Sequence, residues 1–186
     1  MANTLTEEIL SAARAAEPQA LREIYESLAP ALLAYLAGKG CDDPEALTQD
    51  VFLTVFGKLD SITGGVRGLR TFAFSVAHAR MVDDTRRRER QPVLTQFHSH
   101  ADARVSASAE DAALGAGTGV AALLAGLSPR QQEVLLLRIV ADLSIEESAR
   151  IMGSTAGAVK QLQNRALKTL RDRLEREEEL NDERIA

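Results

Sequence analysis

The chain carries one cysteine, no tryptophan, two tyrosines and five phenylalanines among 186 residues. With Cys41 alone, an intrachain disulfide and a cysteine-built zinc site are both excluded, which fits a reducing compartment. No apolar run approaches the roughly 18 residues a membrane-spanning helix needs, and the first residues lack a basic start followed by an apolar core. A soluble, cytoplasmic protein without membrane insertion is therefore expected. No phosphate-cradling glycine loop or nucleophile triad is written in the chain, so an enzyme is the least expected class. His98 and His100 form a His-x-His pair, but no acid or cysteine cluster completes a coordination shell, so no metal and no cofactor is expected. Positive charge is also short: 27 acidic residues against 22 basic ones leave a net charge of -5, unlike a protein that coats nucleic acid indiscriminately.

What the chain does have is segregation. Acids dominate from Glu7 to Asp60 and again from Glu175 to Glu183, whereas basic residues gather between Arg80 and Arg90. Between Arg150 and Leu174, Arg150, Lys160, Arg165, Lys168, Arg171 and Arg173 stand against the single acid Asp172. Such a split suits separate protein-facing and DNA-facing surfaces, although an acidic surface is also simply a solvated one.

The stretch from Leu127 to Leu174 spells a helix-turn-helix. Ser128 with Gln131, and Ser144 with Glu147, are two capping boxes that mark helix starts, the first followed by Pro129. Gly153 then stops the second helix and Thr155 is spaced to cap a third. On that third helix Val159, Leu162, Ala166, Leu170 and Leu174 recur every three or four residues as one apolar stripe. Gly157, Lys160, Gln161, Asn164 and Lys168 point the other way, as side chains that read a groove or hold phosphates, and the basic run adds Arg165. A plain three-helix bundle with a solvated basic face is the alternative.

The rest reads as helical too. Leu21, Ile24, Tyr25, Leu28, Leu32 and Leu36 keep helical spacing until Gly38 and Gly40, after which Asp43 and Pro44 start a helix continued by Leu47, Val51, Val55, Phe56 and Leu59. A glycine-bearing loop over residues 62–69 precedes a helix over 71–90 with Phe74, Ala77 and Met81 on one face. From Gln91 to about Gly119 large apolar residues give way to Ala, Ser and Gly, a flexible-linker composition. The expectation is an all-α protein: two small helical domains joined by a flexible linker, with residues 1–92, linker 93–119, helix-turn-helix domain 120–175 and acidic tail 176–186.

Three segments in this order resemble a known family. PEALTQDVFL from Pro44 to Leu53 resembles the segment of extracytoplasmic-function (ECF) sigma factors that binds the clamp helices of the polymerase beta-prime subunit. FAFSVAHARMVD from Phe72 to Asp83, followed by Arg86, Arg87 and Arg88, resembles the family's promoter-melting and minus-10-reading helix, and Leu127 to Leu174 is similar to its minus-35-binding domain. The family usually carries aspartate, tryptophan and asparagine where Ala46, Phe72 and Ala79 stand. Alanine at 79 has no side-chain hydrogen bond to offer a minus-10 base.

The resemblance implies a dissociable initiation subunit that binds core RNA polymerase, directs promoter recognition and melting, and performs no covalent step. It assigns core binding to Leu47, Gln49, Asp50 and Leu53. Minus-10 reading and melting fall to Arg67, Arg70, Phe72, Ala79, Arg80, Arg86, Arg87 and Arg88, with Arg90 as a further candidate for the basic groove. Residues 62–69 stand where the family captures an extruded base, yet carry no aromatic, so such a pocket would rest on backbone and on Arg67 or Arg70. Phe72 and Phe74 read more readily as core, and His78 as a packing or surface residue. Implied partners are core polymerase, through the beta-prime clamp helices and the beta flap, promoter DNA, and an anti-sigma factor wedged between the domains. The competing class is a stand-alone helix-turn-helix regulator whose N-terminal half dimerises or senses; a regulator would dock that half compactly.

Overall fold

The computed structural model describes residues 5–90 and 123–185. Among them are seven α-helices and no strand: α1 (Glu7–Arg14), α2 (Pro18–Gly38), α3 (Pro44–Phe56), α4 (Gly65–Arg90), α5 (Pro129–Leu135), α6 (Ile145–Ile151) and α7 (Ala156–Ile185). A 3-10 turn (Leu59–Ser61), which takes Leu59 out of α3, leads into α4, and a π-helical turn (Leu136–Val140) prolongs α5.

Local chemistry sets most boundaries. Asp43 accepts the Ala46 N–H at 2.9 Å, and Pro44 brings a preset φ to the first position of α3. At the end of α2, Gly40 adopts φ +76° while Cys41 N–H donates to the Leu36 carbonyl at 3.0 Å, a left-handed closure that satisfies the last carbonyls.

The start of α4 is different. The loop expected over residues 62–69 is confined to 62–64, and the helix begins at Gly65, not at Thr71. Its first turn is capped from 59 residues away, where Glu7 Oε1 accepts the Val66 N–H at 2.8 Å. Gly68, read from sequence as a loop residue, lies within the helix: a Cβ there would stand 1.8 Å from the Thr63 carbonyl oxygen, so the loop folds onto the helix only where no side chain intervenes.

In the N-terminal unit Ile24, Leu28, Leu32 and Leu36 of α2 are fully buried with Val51 and Val55 of α3 and Leu69, Ala73, Phe74 and Ala77 of α4. Tyr35 meets Phe74 edge-on, with ring centroids 5.5 Å apart. In the C-terminal unit Val134, Leu137, Leu143, Val159 and Ala166 form the corresponding centre.

The two units touch directly, which the expectation of tethered domains did not include. The π-helical turn rests on α2, and α6 rests on α4. Gly38 makes the first contact possible, since a Cβ on it would lie 2.8 Å from a Leu136 methyl. The expected linker, with His98 and His100, lies outside the described residues. The acidic segment after Leu174 is no separate tail in backbone terms, because α7 continues to Ile185.

Candidate nucleic-acid interface

The helix-turn-helix forms as its capping residues dictate. Ser144 Oγ accepts the Glu147 N–H at 3.1 Å while Glu147 Oε2 accepts the Ser144 N–H at 2.6 Å, a complete capping box at α6. The box at α5, between Ser128 and Gln131, is complete as well. Gly153, at φ +57°, carries the chain out of α6, and Thr155 Oγ1 accepts the Ala158 N–H at 3.2 Å to start α7. Along α7, Val159 and Ala166 are buried and Leu162 and Leu170 partly so, whereas Gly157, Lys160, Gln161, Asn164, Arg165 and Lys168 are all exposed. Leu174 departs from the expected stripe: it is 52% exposed, beyond the point where α7 leaves the packed core.

A second feature lies at the start of α4. A groove of about 500 Å³ runs between the loop residues Thr63 and Gly64 and the helical residues Thr71, Phe72 and Ser75. The loop is held from behind by Arg14, whose guanidinium donates to the carbonyls of Leu59 at 3.3 Å and Ile62 at 2.8 Å. Phe72 is half-buried in this groove, while Phe74 is wholly in the core.

The arginines expected beside the groove are divided. Arg67 lines it, but Arg70 turns to the C-terminal unit and donates to the Ala141 carbonyl at 3.4 Å. The cause is local: Ala141 follows the π-helical turn, where an i to i+5 bond of 2.9 Å from Ala141 N–H to the Leu136 carbonyl swings the chain toward α4. Arg80 is exposed on another face of α4, where it donates to Thr54 on α3 at 3.4 Å and shares a shallow pocket with Leu47, Asp50, Asp83 and Asp84. Ala79 and Arg86 are exposed, and the side chains of Arg87, Arg88 and Arg90 lie outside the described residues.

On α3 the inward Val51 and Val55 leave Gln49 and Asp50 exposed and Leu47 half-buried. Leu53 stands 73% exposed beside them, with no local partner to explain an apolar side chain there.

Sequence reasoning missed a set of charges between the units. Arg67 Nε and Nη2 donate to the two carboxylate oxygens of Glu147 at 2.8 and 3.1 Å, and the Thr71 hydroxyl donates to the same carboxylate at 3.0 Å. The Arg67 guanidinium pulls the Glu147 carboxyl down to about 2; burial opposes this, and the Ser144 N–H assists it. Glu133 is buried nearby in the same interface, with Lys39 Nζ at 3.5 Å and His78 Nδ1 at 2.8 Å. The His78 contact is close but poorly aligned, so Glu133 Oε1 has no well-directed donor. Burial raises the Glu133 carboxyl, but His78 and Lys39 outweigh it and hold the group below its ordinary range. Burial, and then the nearby Glu133 charge, push the Tyr35 phenol up. His78 is thus an interface residue, where packing or surface duty was expected. Only an acid abutting the apolar run from Val134 to Leu137 hinted at this, and its partners are distant in sequence.

Residues 123–172 match the family model for sigma-70, region 4. The chain is 32% identical over 168 residues to the ECF RNA polymerase sigma factor BldN of Streptomyces coelicolor, covering 88% of this chain and 63% of BldN. It is 30% identical over 177 residues to the ECF RNA polymerase sigma factor SigD of Mycobacterium tuberculosis, covering 89% of this chain and 82% of SigD. Among solved structures it resembles CnrH in complex with the cytosolic domain of CnrY, with a TM-score of 0.62 and 21% identity over 91% of this chain and 96% of that one, a likeness of fold.

Proposed function

The chain belongs to the ECF RNA polymerase sigma factors, and from that membership we propose how its surfaces divide promoter recognition among them. As a sigma factor it binds core RNA polymerase and directs sequence-specific transcription initiation. The similarity extends over 89% of the chain, N-terminal half included, so the stand-alone regulator is not favoured even though the two units dock compactly.

In this reading the α7 face takes the minus-35 element. Lys160, Gln161 and Asn164 reach base edges near the helix N-terminus, and Arg165 and Lys168 hold phosphates further along. The groove between the 62–64 loop and Thr71, Phe72 and Ser75 receives a base extruded from the minus-10 element. Opening costs a few kcal/mol per unstacked step and is driven by the attraction of the displaced strand to a basic surface. Arg67, Arg86, Arg87 and Arg88 supply its positive charge. Leu47, Gln49, Asp50 and Leu53 contact the beta-prime clamp helices, and Arg80 belongs to this side.

The observation that carries the reading is the sorting of α7: every residue proposed to meet DNA is exposed, while Val159 and Ala166 are buried and Leu162 and Leu170 partly so; of the large apolar residues among the proposed contacts, only Leu167 is exposed. The work is binding and strand separation in the cytoplasm, without covalent chemistry. An inhibitory protein that covers both units is a further proposed partner, in keeping with the similarly folded CnrH having been solved with the cytosolic domain of CnrY. Permanganate footprinting of a supercoiled promoter library tests the scheme. Core polymerase plus this chain should expose thymines at discrete upstream sites, and a pattern equal to that of core alone would refute it.

A further inference from the structure

We propose that α1 sets the base selectivity of the strand-capture groove without touching DNA: Glu7 and Arg14, two turns apart on it, grip the two ends of the 62–64 loop and fix its shape. The proposal rests on the reading of that groove as the site for an extruded base, and it makes Glu7 and Arg14 positioning residues.

The loop has little of its own to hold it. Ile62 is buried, but Thr63 and Gly64 are exposed, and Gly64 and Gly65 take φ of +84° and +61°. A glycine pair gives up more backbone freedom on ordering than any other, and a short exposed loop offers few side-chain contacts in return. Gly68 N–H donates to the Gly64 carbonyl at 2.9 Å, which ties the loop to α4 but leaves its approach from the 3-10 turn free.

Helix α1 supplies the rest. On the approach side the Arg14 guanidinium forks across the carbonyls of Leu59 at 3.3 Å and Ile62 at 2.8 Å, partners 45 and 48 residues away. On the exit side Glu7 Oε1 accepts the Val66 N–H at 2.8 Å, one of the orphan donors of α4. A Cβ at position 65 would collide with that carboxylate, so the glycine there admits it. Seven residues of helix separate the two grips by about 10.5 Å along the axis and return them to nearly the same face. The helix is a rigid spacer because Leu10 and Ala13 are buried in the core, whereas Glu7 and Arg14 themselves are exposed. Their contacts therefore serve the loop more than the core. A base is selected by donors and acceptors held at fixed positions, so a loop released at either end loses selectivity before the fold is lost.

Arg14→Met removes the fork and Glu7→Ala removes the cap, while Arg14→Lys keeps one donor group that cannot span both carbonyls. Holoenzyme made from core polymerase and each full-length chain is incubated with fork-junction DNA randomised in its duplex and in its single-stranded overhang. Bound molecules are sequenced, and affinity for core polymerase is titrated in parallel. Wild type should show a preference of about ten-fold at one overhang position, the ordinary cost of a wrong base, and Phe72→Ala should erase it. Arg14→Met and Glu7→Ala should each flatten that same position to below about two-fold, with Arg14→Lys between them and wild type. The duplex element and the affinity for core should not change. Preference retained by both variants would show that the loop needs no help from α1. Loss by one variant alone would refute a two-ended grip, and a parallel fall in overhang selectivity, duplex selectivity and core affinity would reduce both contacts to general stability. If Phe72→Ala flattens no position, the groove reading fails and the proposal with it, an outcome distinct from the others because in those Phe72→Ala keeps its effect.

Discussion

Replacing Leu53 by alanine isolates the contact with polymerase from the stability of the fold. Truncation removes three side-chain carbons, worth about 0.8 kcal/mol each when a methylene is buried, or about 2.4 kcal/mol in full. Leu53 is 73% exposed, so about 1.7 kcal/mol of that remains for a partner to gain and only about 0.7 kcal/mol is spent within the chain. Affinity for core polymerase should therefore fall about fifteen-fold, while stability to denaturant changes by less than about 1 kcal/mol. Fluorescence anisotropy of labelled protein titrated with core polymerase gives the first quantity and a urea melt the second. An unchanged dissociation constant would refute the α3 face as the docking surface, and a loss of stability well above about 1 kcal/mol would refute the view that Leu53 contributes little to the fold.

The other expectations concern charge. Asp50→Arg, on an exposed position of α3, should leave folding intact but weaken core binding by about two orders of magnitude in a pull-down titration, because reversal opposes the partner's basic groups. Gln161→Ala should change minus-35 preference across a promoter library, whereas Lys168→Ala should weaken all promoters alike and lower the salt slope by about 0.9; identical behaviour of the two contradicts the division of α7. The Glu147 carboxyl falls from an ordinary 4.5 to about 2 in the fold, so its contribution to stability is complete above about pH 4.5 and is lost as pH falls through about 2. Wild type should therefore lose stability relative to Glu147→Gln over that acid window, measured by chemical melts at stepped pH, and parallel curves would show that the ion pair adds nothing.

Features that arise between near neighbours were legible in the chain. The paired Ser128–Gln131 and Ser144–Glu147 boxes, the Asp43–Pro44 start, the Gly153 stop and the Thr155 cap each work within three residues, and each formed as read. The exposed face of α7 followed from helical period alone. Where the reading failed, a distant residue decided. Gly65 and Gly68 look like loop residues, yet Glu7 caps the helix at Val66 and the Thr63 carbonyl requires a glycine at 68. Arg70 and Arg80 share a helix with Arg67, but the chain after the π-helical turn and the neighbouring α3 turn them to other faces. The pairing of Glu147 with Arg67, and of Glu133 with Lys39 and His78, joins segments far apart in sequence, and no local pattern encodes it.

The most direct test of the account is multiple-round transcription by purified core polymerase on a randomised promoter pool, with transcript starts mapped by sequencing. Core plus the wild-type chain should initiate at a discrete set of starts with a shared upstream element; Asp50→Arg should abolish these starts, and Gln161→Ala should redirect them to a different minus-35 element. Starts no more frequent or specific than those of core alone, or a start set unmoved by both substitutions, would contradict it.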